Sequence, residues 1–273
     1  MDGNDYSEAF SRLLSRMNYI ELSGDMVVDN LKNIVSRLGM EVASGELEFK
    51  CKWSKYKECN ICTIDGKPMV FVKELWQVQP FREILGIHLA SKFLDSTASF
   101  PDYLFGKWKV SGRKTIPVLI TPYLHGEPLG KKEFKRFHGS LGKQYAFHEI
   151  LSLYDVDWRH FIMNNEKLTR IDLGRCFANL DMEFAGFWDF KIKKLTKSKE
   201  FIEQYEQERD LLSKNFACNA GKIHSLLQQV RDVGQEGNFL LDLDLGTLVD
   251  EIVHYWKAHV AWDVFDVLEP FDN

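Results

Sequence analysis

The sequence lacks the features that mark membrane-spanning, secreted and nucleic-acid-binding proteins. No apolar run approaches the roughly 20 residues that span a bilayer, and the first ten residues are acidic where a secretory signal would be basic and then apolar. The 273 residues carry a formal net charge of −5, whereas nonspecific binding to nucleic acid requires a basic surface. These absences predict a cytoplasmic protein that is not integral to a membrane and has no nucleic-acid partner.

Cysteine is scarce, and its spacing does not support a metal site. Five cysteines, an odd number in a chain of this length, fit a reducing compartment. Cys59 and Cys62 have the spacing of a zinc or redox pair, but no second pair of Cys or His follows at the spacing of a zinc finger. We therefore interpret both as small apolar residues of a strand.

The hydrophobic pattern changes its period along the chain. Residues 1–40 show helical spacing and predict an N-terminal helical extension. From residue 46 the pattern alternates, and Asp65-Gly66 between two β-rich runs predicts a hairpin. A further strand is predicted over residues 117–123. Helical spacing recurs over residues 80–93, 132–152, 199–215, 220–233 and 245–268.

This order of elements predicts an α+β protein with two lobes. An antiparallel β-sheet lobe is expected over residues 41–121 and a mainly helical lobe over residues 122–273, with a cleft between them. Asp244 or Thr247 is expected to cap the final helix. The predicted buried stripe of that helix is Val249, Ile252, Val253, Trp256, Val260 and Val264.

Carboxylates are concentrated around one short segment of the second lobe. Two apolar runs flank a polar turn at residues 164–167, which predicts a small β-hairpin. Asp155 and Asp157 precede the first run, and Asp172 ends the second run just before a Leu-Gly pair. The hairpin therefore carries acidic side chains at its rim.

Transfer of a phosphoryl group from ATP requires this kind of arrangement. One carboxylate must hold Mg²⁺, and another must orient the acceptor hydroxyl and take its proton. The spacing predicts Asp155 as the catalytic base and Asp172 as the catalytic metal ligand. His160 or Asp157 is predicted to supply the second metal position. A hairpin with merely acidic loops is the alternative.

Two residues upstream complete the set that phosphoryl transfer needs. Lys73 ends a run of alternating apolar residues on the predicted third strand, and we expect its ammonium to contact the phosphates. Glu83 follows on the next predicted helix and could pair with this lysine. Taken singly, Lys73 is also typical of a solvated strand edge, and Glu83 of an acid in the first turn of a helix.

In this chain order the motifs resemble the atypical branches of the protein-kinase-like superfamily. The hairpin, with His160 where most kinases have asparagine and with Ile171-Asp172-Leu173-Gly174 at its end, is similar to that of the lipopolysaccharide core heptose kinases. Segment 119–129 is similar to the hinge of aminoglycoside and choline phosphotransferases. The helix REILGIHLASKFL is similar to the equivalent helix of HipA-type and phosphatidylinositol kinases.

The resemblance implies a two-lobed protein-kinase-like fold and a reaction that uses ATP with Mg²⁺ or Mn²⁺. The γ-phosphate would pass to a hydroxyl acceptor, with a sugar or glycan favoured. By the same resemblance, backbone groups of the hinge near Thr121 and Tyr123 would contact adenine. Ser54 lies in the turn that stands where kinases have their phosphate-covering loop.

The sequence departs from the family pattern at several points. It has no Gly-x-Gly-x-x-Gly motif, and Leu153-Tyr154 replaces the usual His-Arg before the catalytic aspartate. A histidine at position 160 is a poorer ligand for Mg²⁺ than an oxygen donor. These departures leave open weak or altered chemistry, or an inactive nucleotide-binding scaffold. A Ser/Thr protein kinase of HipA or effector type is the alternative enzyme, and a protein dominated by a partner surface of its N-terminal and final helices is a third possibility.

Overall fold

A computed structural model describes most of the chain as two compact units. The described residues are 19–23, 34–38, 40, 47–48, 59–64, 67–74, 79–109, 115–130, 133–153, 158–165, 167–174, 176–178, 180, 197–236 and 244–260. The first unit falls within residues 1–78, 101–124 and 237–241, and the second within residues 79–100, 125–236 and 242–273. Both sheets and helices are present, so the predicted α+β class is confirmed.

The first unit is built on a six-stranded, largely antiparallel sheet. Its strands are β1 (Tyr19–Ser23), β2 (Leu47–Glu48), β3 (Cys59–Ile64), β4 (Lys67–Glu74), β5 (Leu104–Lys109) and β6 (Thr115–Pro122). Their order is β1-β5-β6-β4-β3-β2, with β1 parallel to β5 and the other neighbours antiparallel. The hairpin predicted at Asp65-Gly66 is confirmed, because Ile64 of β3 pairs with Lys67 of β4. The two turn residues themselves lie outside the described residues.

One face of this sheet carries the core of the first unit. Val70 and Val72 of β4 alternate with more exposed residues and are fully buried. Burying a side chain of this size contributes about 1.5–3 kcal/mol. The cluster consists of Ile34, Val35, Leu38, Val70, Val72, Val118 and Ile120.

The first forty residues contain a strand where the helical extension is expected. β1 joins the sheet beside β5. The hydrophobic pattern predicts neither of these two strands. Strands of five and six residues are too short for periodicity to identify, and their pairing joins positions some 85 residues apart, such as Tyr19 and Phe105. Residues 34–37 are helical, and residues 1–18, 24–33 and 39 of the predicted extension lie outside the described residues.

The second unit is mainly helical and includes a small antiparallel sheet. Its helices are α1 (Gln79–Leu89), α2 (His138–Ile150), α3 (Lys199–Glu236) and α4 (Leu245–Tyr255), with π-helical continuations at Ala90–Leu94 and Trp256–Val260 and short 3-10 turns at Phe134–Phe137 and Trp158–His160. Its strands are β7 (Glu127–Pro128), β8 (Phe161–Asn164) and β9 (Lys167–Arg170), in the order β7-β8-β9.

Residues 199–215 and 220–233, which both show helical spacing, belong to a single helix, α3. Phe216, between the two ranges, is fully buried and lies edge-on to Trp256 at 5.2 Å between ring centroids. The Asn215 side chain donates to the Leu94 carbonyl at 2.7 Å, and that of Asn219 donates to the Phe93 carbonyl at 3.0 Å. These contacts to the end of the α1 segment hold α3 continuous through its centre.

The last described helix begins as the sequence predicts. The Asp244 carboxylate accepts hydrogen bonds from the backbone N–H groups of Gly246 and Thr247, and the Thr247 hydroxyl donates to it at 2.9 Å. The hydroxyl of Thr247 is the main cause that lowers the pKa of Asp244. In the predicted stripe, buried residues are Val249, Ile252, Trp256 and Val260. Val264 lies outside the described residues.

Glycines allow α2 and α3 to pack with their backbones close together. A Cβ atom on Gly142 would clash with the carbonyl oxygen of Phe201 and come within 3.0 Å of the backbone nitrogen of Tyr205. Phe201 also belongs to an apolar cluster, whose members are Leu129, Phe137, Leu141, Phe161, Leu168 and Phe201. The cluster places the β8–β9 hairpin against the two helices. In the part of the chain that the structure describes, no helix combines the length and the apolarity needed to cross a membrane.

Candidate functional site

The hairpin predicted around residues 161–170 is present. Strands β8 and β9 pair antiparallel from Phe161 with Arg170 to Asn164 with Lys167. The short turn between them contains Asn165 at a φ of 53°, a left-handed conformation that asparagine tolerates better than most residues. The Phe161–Arg170 pair forms the base of the hairpin, and His160 and Ile171 are the next residues along the chain on either side of it.

The base of the hairpin brings two of the predicted site residues together. The N–H of Ile171 donates to the His160 carbonyl at 2.8 Å and extends the pairing beyond the strands. As a result, the His160 Nε2 atom lies 3.6 Å from the Asp172 Oδ2 atom. Their side chains are 22% and 38% exposed. An imidazole and a carboxylate therefore share one partly open position.

Two neighbours hold Asp172 in place. The backbone N–H of Gly174 donates to the Asp172 Oδ1 atom at 2.9 Å. The Arg170 Nε–H donates to the Asp172 carbonyl oxygen at 2.7 Å. The Arg170 side chain is almost fully buried, and its guanidinium lies 5.1 Å from the centre of the Phe161 ring. A charge held by both a ring face and a carbonyl is a rigid support for the aspartate beside it.

Glu83 is also close to this position. Helix α1 begins at Gln79 and has no acid in its first turn, so the interpretation of Glu83 as a first-turn acid is wrong. Glu83 is only 2% exposed, which is rare for a glutamate unless it serves a partner. The backbone of α1 passes so close to Cys176 that a Cβ on Gly86 would lie 2.6 Å from the Cys176 Sγ atom.

The causes of the pKa shift of the Cys176 thiol identify the charged groups near this position. Burial is the main cause that raises the pKa of Cys176 well above its usual value, and the next cause is Glu83. Arg170 opposes the rise, and Asp172 adds to it. Two carboxylates and one guanidinium from α1 and the hairpin are thus within electrostatic reach of one buried sulfur atom.

In the first unit, Lys73 and Thr121 lie on the same face of the sheet. Lys73 of β4 is opposite Leu119 of β6, and Phe71 is opposite Thr121. Residues that face each other across antiparallel strands project to the same side. Since the neighbouring Val72 is buried in the core on the other side, Lys73 projects away from that core.

The backbone near Tyr123 is partly committed to the sheet. The Tyr123 N–H donates to the Met69 carbonyl at 2.8 Å. An adenine contact at this residue would therefore have to use another group, such as its carbonyl oxygen. Of the other predicted residues, Ser54, Asp155 and Asp157 lie outside the described residues, so their roles stay predictions.

The residues at the hairpin base fit a divalent cation in part. Asp172 supplies a carboxylate oxygen and His160 an imidazole nitrogen, a pair that suits Mn²⁺ better than Mg²⁺, which prefers oxygen. Among the described residues, no group of three or more His, Cys, Asp or Glu side chains is placed to hold a metal ion. Remaining ligands would have to come from water, from phosphate oxygens or from the predicted Asp157.

The sequence did not indicate two residues that shape this position. Arg170 was not singled out, because its role depends on contacts with a ring and a carbonyl that no spacing rule describes. Cys176 was not singled out either, since its closeness to α1 depends on tertiary packing.

No family model matches this sequence, and no curated protein matches it.

Proposed function

We propose that the protein is an ATP-dependent phosphotransferase that uses Mg²⁺ or Mn²⁺ and has a two-lobed, protein-kinase-like fold. The observation that carries the proposal is the pair formed by Asp172 and His160, 3.6 Å apart and partly open to solvent. These are the residues that the motif spacing assigns to the metal, and they meet at the base of the predicted hairpin. We further propose that the protein acts in the cytoplasm.

In this proposal Asp172 holds the metal and His160 or Asp157 completes its protein ligands. The bound cation neutralises negative charge on the phosphates. Gly174 and Arg170 keep the Asp172 carboxylate oriented, so that little reorganisation is needed when charge develops. Asp155 is assigned the role of base that takes the proton of the acceptor hydroxyl.

The remaining assignments concern nucleotide binding. Lys73 contacts the phosphates, and Glu83 is its ion-pair partner. The buried state of Glu83 supports this role, because a buried carboxylate is costly unless a cation compensates it. Thr121 and Tyr123 contact the base, and the turn containing Ser54 covers the phosphates.

The order of the elements supports the proposed fold. A lysine-bearing strand in a largely antiparallel sheet is followed by a helix with a buried glutamate, then by a mainly helical unit whose hairpin ends in Asp172. The same order of lysine, glutamate and metal-binding aspartate is found in protein kinases.

The proposed acceptor is a hydroxyl of a sugar or glycan, because the hairpin resembles that of the lipopolysaccharide core heptose kinases. A Ser/Thr side chain of a protein is the alternative acceptor. The second candidate function is an inactive nucleotide-binding scaffold. The imidazole of His160 favours it, because it lies 3.6 Å from the carboxylate oxygen that would bind the cation.

Turnover of ATP with Mg²⁺ and with Mn²⁺ tests the proposal. Asp172→Ala should reduce turnover by about 10² or more, while Asp210→Ala, an exposed carboxylate on α3, should leave it unchanged. Thermal unfolding of both variants checks that they fold. Nucleotide binding without turnover in the unchanged protein would favour the scaffold, and the absence of both would overturn the proposal.

A further inference from the structure

The second unit contains a polar cavity at the turn end of the hairpin. Its volume is ≈ 760 Å³, within the range of small-molecule sites. Its walls come from four parts of the chain: the loop at residues 97–99, the first half of α2, the β8–β9 turn and the start of α3. It is separate from the Asp172–His160 pair, because Asn164 and Arg170 lie at opposite ends of the hairpin, roughly 10 Å apart at ~3.3 Å per residue.

One wall of the cavity is held rigidly by a buried carboxylate. Glu208 of α3 is 2% exposed and accepts hydrogen bonds from the Ser96 hydroxyl at 2.6 Å and from the Thr97 N–H at 2.9 Å. The Thr97 hydroxyl also donates to Glu208. Three hydrogen bonds to the Glu208 side chain therefore hold Ser96 and Thr97 of this irregular loop in place. A wall held in this way is preorganised for binding.

The adjacent residue of this loop is fixed as well. The Ser99 carbonyl accepts hydrogen bonds from the Gln144 side chain at 2.9 Å and from the Arg170 N–H at 2.8 Å. The Ser99 hydroxyl lies 3.0 Å from that of Thr169. The loop, α2 and the outer strand of the hairpin are thus joined into one surface.

Most side chains that line the cavity are polar or charged. Lys143 from α2 and Lys167 from β9 supply two ammonium groups, and Glu200 from α3 supplies a single carboxylate. Amides come from Asn164 and Gln204, and hydroxyl and further amide groups complete the lining. Ala98 and Leu168 supply the apolar side chains of the lining.

We propose that this cavity binds an acidic saccharide, a sugar unit that carries a carboxylate. Sugar hydroxyls both donate and accept hydrogen bonds, as amides and hydroxyls do, and a carboxylate such as Glu200 accepts from them. The two lysines outnumber the one acid and select an anionic group on the ligand. The site goes beyond the proposed phosphotransferase and does not depend on it.

Calorimetric titration with a tri-galacturonate tests this proposal. The unchanged protein should bind it, while a neutral trisaccharide of the same length should bind at least tenfold more weakly. The double variant Lys143→Gln/Lys167→Gln should lose about tenfold or more in affinity, since two charge-assisted hydrogen bonds are removed. Lys214→Gln on the exposed face of α3 is the matched control and should bind as the unchanged protein does.

Each other outcome overturns the proposal. Equal binding of the neutral sugar would remove the acidic class, and equal binding of inorganic phosphate would leave only an anion site. Equal binding of a hexaglutamate peptide would leave only charge attraction, and no binding would leave no site. Asp172→Ala should bind tri-galacturonate normally, which keeps failure of this proposal distinct from failure of the proposed function.

Discussion

At the scale of single residues, the buried guanidinium of Arg170 connects the core of the second unit to the candidate site. It lies over the Phe161 ring and donates to the carbonyl of Asp172. A lysine cannot reproduce both contacts, because its ammonium lacks the planar fork and the Nε–H donor. Arg170 is thus a positioning residue, acting on the site through Asp172.

Under the proposed function, Arg170→Lys should reduce kcat by about 10 to 100-fold, because residues that orient a metal ligand usually have an effect of this size. The Kd for nucleotide should change little, because the variant touches neither the base nor the phosphates. Steady-state kinetics and nucleotide titration measure the two quantities, with the exposed Arg209→Lys on α3 as control. An equal loss in kcat and in nucleotide affinity would instead indicate a general structural role.

Titration of the Glu149 carboxylate affects stability. It lies between α2 and α3, where the Tyr205 hydroxyl donates to its Oε2 atom at 3.0 Å. Burial raises the pKa of Glu149 to about 7, and the bond from Tyr205 and the charge of Arg209 oppose the rise. Because the folded protein holds this proton more tightly than the unfolded chain, the stability that Glu149 contributes is complete below pH 4.5 and is lost as the pH rises to about 7.

Glu149→Gln should remove this dependence on pH. The free energy of unfolding of the unchanged protein, minus that of the variant, should fall by roughly 3 kcal/mol between pH 4.5 and pH 7.5. Urea unfolding at a series of pH values measures it. Glu206→Gln on the exposed side of α3 controls for the change in net charge. A difference that stays constant across this range would contradict the assignment.

At the scale of elements, the close packing of α2 against α3 depends on a missing side chain. Gly142 lies where a Cβ would meet the Phe201 carbonyl, whereas Gly221, in the interior of α3, has no atom within 4 Å of a Cβ. Both glycines lie in helices, so replacing either by alanine should give the same gain in helix propensity. The two glycines therefore separate packing from propensity.

Gly142→Ala should destabilise the protein by about 1–3 kcal/mol, the usual cost of overpacking. Gly221→Ala should stabilise it by about 0.5–1 kcal/mol, because a glycine in a helix interior is replaced without a clash. Chemical denaturation measures both changes. Equal stabilisation by the two substitutions would show that α2 and α3 do not approach as closely as the structure indicates.

At the scale of the whole molecule, charge determines which partners are excluded. With 35 basic and 40 acidic side chains, the chain carries a formal charge of −5, so the predicted lack of a nucleic-acid partner depends on long-range repulsion. Binding to duplex DNA should be weaker than about 10⁻⁴ M at physiological salt, with no slope against salt concentration. Fluorescence anisotropy with a labelled duplex checks this. Salt-dependent binding at micromolar DNA would reveal a local basic surface.

Much of the fold follows from local patterns. The hairpin at residues 161–170 and the Asp244 cap were both predicted from spacing and turn chemistry. His160 lies 3.6 Å from the Asp172 carboxylate because a two-stranded hairpin leaves little freedom for the residues at its base, and the metal-binding roles assigned to both residues stay predictions.

Other features could not be predicted from spacing. The continuity of α3 depends on Asn215 and Asn219, which bond to carbonyls more than 100 positions earlier in the chain. Strand β1 depends on its pairing with β5. A local pattern carries no information about such partners, because each partner is chosen by the packing of distant segments.

Short-range chemistry in the chain is therefore sufficient to predict its α+β class, the hairpin at residues 161–170 and the cap of the last described helix. Tertiary packing alone decided that Arg170 supports Asp172, that Glu83 is buried near Cys176, and that a polar cavity forms at the far end of the hairpin. The physical reason is the same in each case: burial and electrostatic contact depend on distance in space, which separation along the sequence does not determine.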